Sequence, residues 1–239
     1  MQTTPVITVE QVEAYWKDGY VRVHDILAYE EIERLRRRAD EILLGLVDFP
    51  REHMETEPEL GKPLAVDRRM GIRRIRHLTA YDPIFAELLS HPKVVQIATA
   101  VLGPDIKLLV DQMLCKPARF GSANPYHRDA PEWPIGPDDI LTLWIALDDA
   151  TLQNGCMRFL KGSHRSAPGV DLEEDPVETE SGSGTCHHSQ VLHETSENRT
   201  PYRRRAMSLV FAKATAKWRG DRQKPEFPLI AGEPHDGCI

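Results

Sequence analysis

Cysteine is scarce in this chain, and the four present, Cys115, Cys156, Cys186 and Cys238, show no short paired spacing. That distribution argues against a disulfide framework or a thiolate zinc site and fits a reducing, cytoplasmic compartment. No apolar stretch is long enough to cross a bilayer, and residues 1–10 lack the basic start and apolar run of a secretion signal, so no membrane association is expected. Positive charge is in deficit as well. The formal net charge is −7, which gives no general attraction to nucleic acid. No internal repeat is visible.

What is present describes a globular chain with many turns: 239 residues, 41% hydrophobic and 28% charged, with 15 glycines and 18 prolines. We expect a single domain over 1–239, with a mainly helical part to about 105, a β-rich core over about 106–215 and an extension over 216–239.

Thr8 with Gln11 three positions on makes a capping-box pattern, and Val9, Val12 and Tyr15 recur at helical spacing, which predicts a helix over 8–17. A short strand at 20–23 precedes a helix over 28–44, whose stripe is Ile32, Leu35, Ala39, Ile42 and Leu43 and whose stop is Gly45. Arg36, Arg37 and Arg38 read as its solvated face; Arg73, Arg74 and Arg76 also read as surface arginines, with recognition of an anionic group as the weaker alternative. Residues 47–68 read as a loop or lid, followed by a strand near 71–75 and helices near 83–90 and 93–102. A strand-rich half begins at 106–115. In 140–147, Leu141, Leu143, Ile145 and Leu147 share one face, and Thr142, Trp144 and Ala146 the other. Asn154-Gly155 reads as a hairpin turn that returns 156–160 alongside that strand. The acidic segment 165–184 has no periodicity and reads as mobile or as a substrate lid, before order resumes at 185–191 and 206–211. Helices first and short strands after them give an α+β chain, mainly β, with a double-sheet jelly-roll core.

The chemistry is concentrated in three places. His127-Arg128-Asp129 puts an imidazole and a carboxylate two residues apart, on one face of a strand. Three histidines, His187, His188 and His193, can supply a ligand from a second direction, and strand alternation sends His187 and His188 to opposite faces. Two histidines and a carboxylate that leave the opposite positions of an octahedral ion open are the ligand set of non-haem Fe(II) oxygenases. Arg203-Arg204-Arg205 then offers guanidinium groups to a co-substrate that carries two carboxylates. The residues alone leave the choice among the three histidines open.

Ordered motifs along nearly the whole length resemble the phytanoyl-CoA dioxygenase family of Fe(II)/2-oxoglutarate-dependent oxygenases. They begin at Val9–Val21 and Glu30–Leu35 and continue through Tyr126–Asp129, Leu143–Asp149, Asn154–Met157 and Gly162–Arg165. They close with His187-His188, His193, Asn198–Thr200 and Arg204–Ala206. The resemblance implies a double-stranded β-helix, the cupin-like jelly roll, with N-terminal and flanking helices. It implies iron ligands at His127, Asp129 and His193, a 2-oxoglutarate-binding arginine at Arg204, and Trp144 packed beside the co-substrate. Thr142, on the same face as Trp144, is a possible donor to 2-oxoglutarate, Gln112 a weaker one, and Ser208 lies in line with Arg204. His188 is expected in the core or behind the ligands, and His164 and Asn198 in structural hydrogen bonds.

The resemblance further implies Fe(II), 2-oxoglutarate and O2 as cofactor and co-substrates, and hydroxylation of a small organic substrate of secondary-metabolite type as the default outcome. Desaturation, cyclisation and epimerisation are open to the same chemistry, as are a non-catalytic jelly-roll binding module and zinc-dependent hydrolysis. Intact Asp129 argues against halogenation. Lys161 replaces the proline of the usual Pro-Gly-Ser-His turn, and Glu194-Thr195 replace Gly-Ser after the distal histidine. The oligomeric state is open between monomer and homodimer.

Overall fold

The backbone N–H of Gln11 donates to the Thr8 hydroxyl at 3.2 Å, while the Gln11 side chain accepts the Thr8 N–H at 2.9 Å. This reciprocal cap starts α1 (Val9–Asp18), as the spacing predicts. In the computed structural model, which describes residues 5–58, 71–130, 133–136, 140–167 and 169–239, the second predicted helix is α2 (Tyr29–Leu44). It buries Ile32, Leu35, Ala39, Ile42 and Leu43 and stops at Gly45, whose φ of +71° needs no Cβ. Residues 59–68 of the expected loop lie outside the described residues. Short α3 (Leu78–Tyr81) and α4 (Pro83–Ala86) lead to α5 (Pro92–Leu102), whose buried stripe is Val94, Ile97, Ala98, Val101 and Leu102. Among the described residues, no helix is long and apolar enough to cross a membrane.

The strands in chain order are β1 (Tyr20–Val23), β2 (Met54–Thr56), β3 (Ile72–Arg76), β4 (Ile106–Lys116), β5 (Asn124–His127), β6 (Ile135–Gly136) and β7 (Ile140–Ala146). They continue with β8 (Met157–Leu160), β9 (Glu174–Val177), β10 (Gly184–His188), β11 (His193–Thr195), β12 (Arg204–Lys213), β13 (Lys217–Trp218) and β14 (Leu229–Ala231). The large sheet runs β1-β10-β7-β12-β4-β3-β2, with β14 also on β4; the smaller runs β5-β11-β8-β9. Alternation on β7 sorts the two cores. Leu141, Leu143 and Ile145 join Met207, Leu209 and Phe211 under α2 and α5, while Trp144 and Ala146 join Met157, Phe159 and Ala206 between the sheets. This is the cupin-type jelly roll, mainly β with flanking helices.

Three expectations change. Asn154-Gly155 does turn the chain, but β8 does not return beside β7. Both edges of β7 are already filled by β10 and β12, so β8 crosses to the smaller sheet between β11 and β9. The acidic segment is partly a strand: β9 pairs with β8, and Glu173, Glu174 and Asp175 bond to Lys161, Arg158 and Tyr20. Nor are Arg36 and Arg38 merely solvated. Arg36 donates to the Leu147 carbonyl at 2.6 Å, and Arg38 to Asp82 at 2.6 Å, fastening α2 to the β core and to the start of α4. The part before residue 106 also supplies β1, β2 and β3 to the large sheet.

Candidate active site

β5 and β11 are neighbours in the small sheet with His127 directly opposite His193, and their rings stand 4.2 Å apart. The chain leaves β5 after His127 and brings Asp129 back, so that Asp129 Oδ1 lies 3.6 Å from His127 Nε2 and 3.8 Å from His193 Nε2. The three donor atoms lie within 4.8 Å of one another, a spacing that one metal ion can bridge. In both imidazoles, Nδ1 faces a backbone carbonyl two residues earlier: Pro125 at 2.8 Å for His127 and Val191 at 3.1 Å for His193. A proton on each Nδ1 satisfies that carbonyl and leaves the Nε2 lone pair for a metal. Asn124 Nδ2 stands 3.2 Å from His127 Nε2.

The large sheet holds the other oxygen of Asp129. Thr142 on β7 donates to Oδ2 at 3.1 Å, and His187 Nε2 on β10 lies 3.4 Å from it. Thr142 is therefore engaged with the carboxylate, where the sequence suggested a donor to the co-substrate. Burial pushes the Asp129 pKa up, but the charges and hydrogen bonds of His193, His127 and His187 outweigh it and hold it well below the usual carboxylate range. Burial also pulls His193 down to about 3, which keeps it neutral. An ionised carboxylate with neutral imidazoles is the protonation state that binds Fe(II).

Arg204 lies on β12 in the same cavity and is 2% exposed. Nη2 donates to the Gly155 carbonyl at 2.8 Å, the guanidinium carbon sits 5.4 Å from the Trp144 ring centroid, and Nε has no partner among the described residues. Burial lowers its pKa to about 10 and leaves it charged. A buried guanidinium without a carboxylate costs several kcal/mol until an anion arrives, so the residues present fit a bound 2-oxoglutarate. Arg205 points to the opposite face, bonded to Asp148 and Asp40.

The cavity, of about 150 Å³, is lined by Trp144, Thr142, Gln112 and Ser208 as well as the three donors and Arg204. Gln112 and Ser208 are register partners across β4 and β12. Lys116, which the sequence reading missed, lies opposite Arg204 in register and is 6% exposed; Arg73 and Arg74, expected at the surface with anion recognition as the alternative, come from β3 to line the cavity. His187 and His188 do part company: His187 lines the cavity, while His188 packs against Tyr15, Trp16 and His164 and accepts the Gln190 N–H at 3.0 Å. Arg128, between the two donors in sequence, bonds to the Gln190 and Ser163 carbonyls. His164 bonds to the Trp16 carbonyl at 3.1 Å, and Asn198 donates to the Lys116, Pro117 and Tyr202 carbonyls.

A jelly roll that brings two imidazoles and a carboxylate beside a buried cation defines the non-haem iron, 2-oxoglutarate-dependent class. The chain belongs to the phytanoyl-CoA dioxygenase (PhyH) family, whose model matches residues 15–206. Similar proteins include a probable alpha-ketoglutarate-dependent hypophosphite dioxygenase of Stutzerimonas stutzeri, 27% identical over 87% of this chain and 79% of that protein. Phytanoyl-CoA dioxygenase domain-containing protein 1 of Bos taurus is 27% identical over 93% of this chain and 97% of its own length. Among solved structures, the alpha ketoglutarate dependent epimerase SnoN from nogalamycin biosynthesis superposes with a TM-score of 0.76 at 24% identity, covering 92% of this chain and 97% of its own. Iron-bound EctD from S. alaskensis gives 0.78 at 21% identity over 100% of this chain and 89% of its own. The protein is thus an Fe(II)- and 2-oxoglutarate-dependent oxygenase.

Proposed function

We propose that His127 Nε2, Asp129 and His193 Nε2 hold the iron, that Arg204 anchors the far carboxylate of 2-oxoglutarate, and that the enzyme hydroxylates an unactivated C–H bond of a small organic substrate. The observation that carries this reading is the fully buried Arg204, with an unpartnered Nε, in the same cavity as three donors within 4.8 Å of one another. When bound, iron and 2-oxoglutarate together supply an oxidant able to take hydrogen from such a bond, with succinate and CO2 as co-products.

The chain's own residues prepare the site. Pro125 and Val191 carbonyls set the tautomer of the two imidazoles, and Thr142 and His187 hold Asp129 Oδ2 so that Oδ1 faces the metal position. Trp144 walls the co-substrate and supports Arg204 from below. Gln112 and Ser208 lie on the cavity wall within the same register and are further contacts for 2-oxoglutarate. Asp129 keeps a carboxylate in the proposed ligand set, where related iron halogenases carry a small residue, which favours hydroxylation over halogenation.

Anaerobic addition of Fe(II) and 2-oxoglutarate is expected to give a weak visible charge-transfer band that disappears in His127→Ala, and aerobic turnover is expected to release succinate. A band that persists in His127→Ala, or Zn(II)-supported activity without 2-oxoglutarate, would sink the assignment.

A further inference from the structure

β3 pairs with β2 through a register slip. Glu55 faces Arg74 and Thr56 faces Ile72, which leaves Arg73 as an extra residue without a partner. A regular strand would send Arg73 and Arg74 to opposite faces of the sheet. The bulge re-aims one of them, and both line the cavity that contains His127, Asp129 and Arg204. Arg76 is engaged with Glu55 at 2.8 Å, and the same carboxylate is 3.8 Å from Arg74. Among the described residues, no acidic group pairs with Arg73.

The charge balance of the cavity gives this placement its meaning. Among the described residues its only acidic lining residue is Asp129, against Arg73, Arg204 and Lys116, while Glu55 lies 3.8 Å from Arg74 and the buried Glu57 carboxylate acts on Lys116. Iron and the 2-oxoglutarate dianion cancel one another, and Asp129 offsets one cation. Arg204 lies on β12 opposite Lys116 and Arg74 on β3 opposite Leu114, with β4 between, so their backbones stand about 12 Å apart. One small dicarboxylate chelated to iron does not need both walls.

We propose that the substrate carries an oxyanion, a carboxylate or a phosphorus oxyanion, that Arg73 grips with Arg74 beside it on the β3 wall of the active-site cavity. The proposal rests on the iron and 2-oxoglutarate reading above and adds the chemical class of the substrate. A planar guanidinium presents paired N–H donors to two oxygens of either group, and a neutral ester forfeits the charge.

The test uses the Fe(II)- and 2-oxoglutarate-loaded protein under anaerobic conditions, with butyric acid, propylphosphonic acid and their neutral methyl esters as probes. Binding is read from the shift of the charge-transfer band and from quenching of tryptophan fluorescence, since Trp133 and Trp144 line the cavity. At least one acid is expected to bind about tenfold more tightly than its ester, the better of the two acids telling which oxyanion is meant. Arg73→Ala is expected to weaken that acid by about tenfold or more, Arg73→Lys to recover part of the loss, and the KM for 2-oxoglutarate to stay within about twofold. Esters that bind as well as acids, no acid bound at about 10 mM, or an Arg73→Ala variant whose defect lies in the KM for 2-oxoglutarate would each overturn the proposal. Loss of the charge-transfer band before any probe is added would overturn the iron reading itself, whereas a band with no preference for acids overturns the anion subsite alone.

Discussion

Lys116 and Arg204 face one another across the β4–β12 ladder, two cations in one buried corner. Burial, with the charge of Arg204 added to it, brings the Lys116 pKa down to about 7, and the ammonium donates to the Ser122 carbonyl. An unfolded lysine keeps its proton to about 10.4. Between these values the unfolded chain binds the extra proton, so stability from this residue rises with pH across the window and is flat below it. Lys116→Met is expected to remove that rise. Thermal unfolding at pH 7 and pH 10 checks it: the variant should gain on the wild type at pH 7 and lose the advantage at pH 10. Site residues were legible one by one where chemistry or alternation speaks locally. His127-x-Asp129 announced a metal pair, and alternation separated His187 from His188. Lys116 was not legible, because its place depends on strand register, and Arg73 was legible only as a surface arginine with anion recognition as the alternative, because its entry into the cavity depends on a bulge that local spacing does not write.

At the scale of elements, the turn after β7 governs the co-substrate corner. Asn154 accepts the Thr151 N–H at 2.7 Å and donates to the Asp149 carbonyl at 2.8 Å; Gly155 follows at φ +85° and gives its carbonyl to Arg204. A Cβ on Gly155 would fall 2.2 Å from the Ser196 carbonyl oxygen, in a conformation that side chains rarely adopt. Gly155→Ala is expected to displace the turn and misaim Arg204, raising the KM for 2-oxoglutarate about tenfold in steady-state kinetics. Fe(II) affinity should change little, since His127, Asp129 and His193 stand on other elements. The sequence marked this turn correctly and its destination wrongly. Asn-Gly encodes a reversal, but which strand receives the returning chain depends on the edges already taken by β10 and β12.

The whole molecule is held together across its length. β1 pairs with β10, Tyr20 stacks on Phe159 at 4.2 Å and bonds to Asp175, and α1 lies against His188. Removal of residues 1–23 is expected to expose the β10 edge and yield aggregated protein, read by size-exclusion chromatography and far-ultraviolet circular dichroism. A monodisperse, fully structured truncation would contradict this. Fold class was the most legible level, since helices followed by short alternating strands permit few layer arrangements. The closing of the large sheet was the least, because it joins segments more than half the chain apart. That pairing has a temporal side. A ribosome delivers Tyr20 early and His187 late, so β1, among the first strands made, must wait unpaired through most of synthesis until β10 emerges.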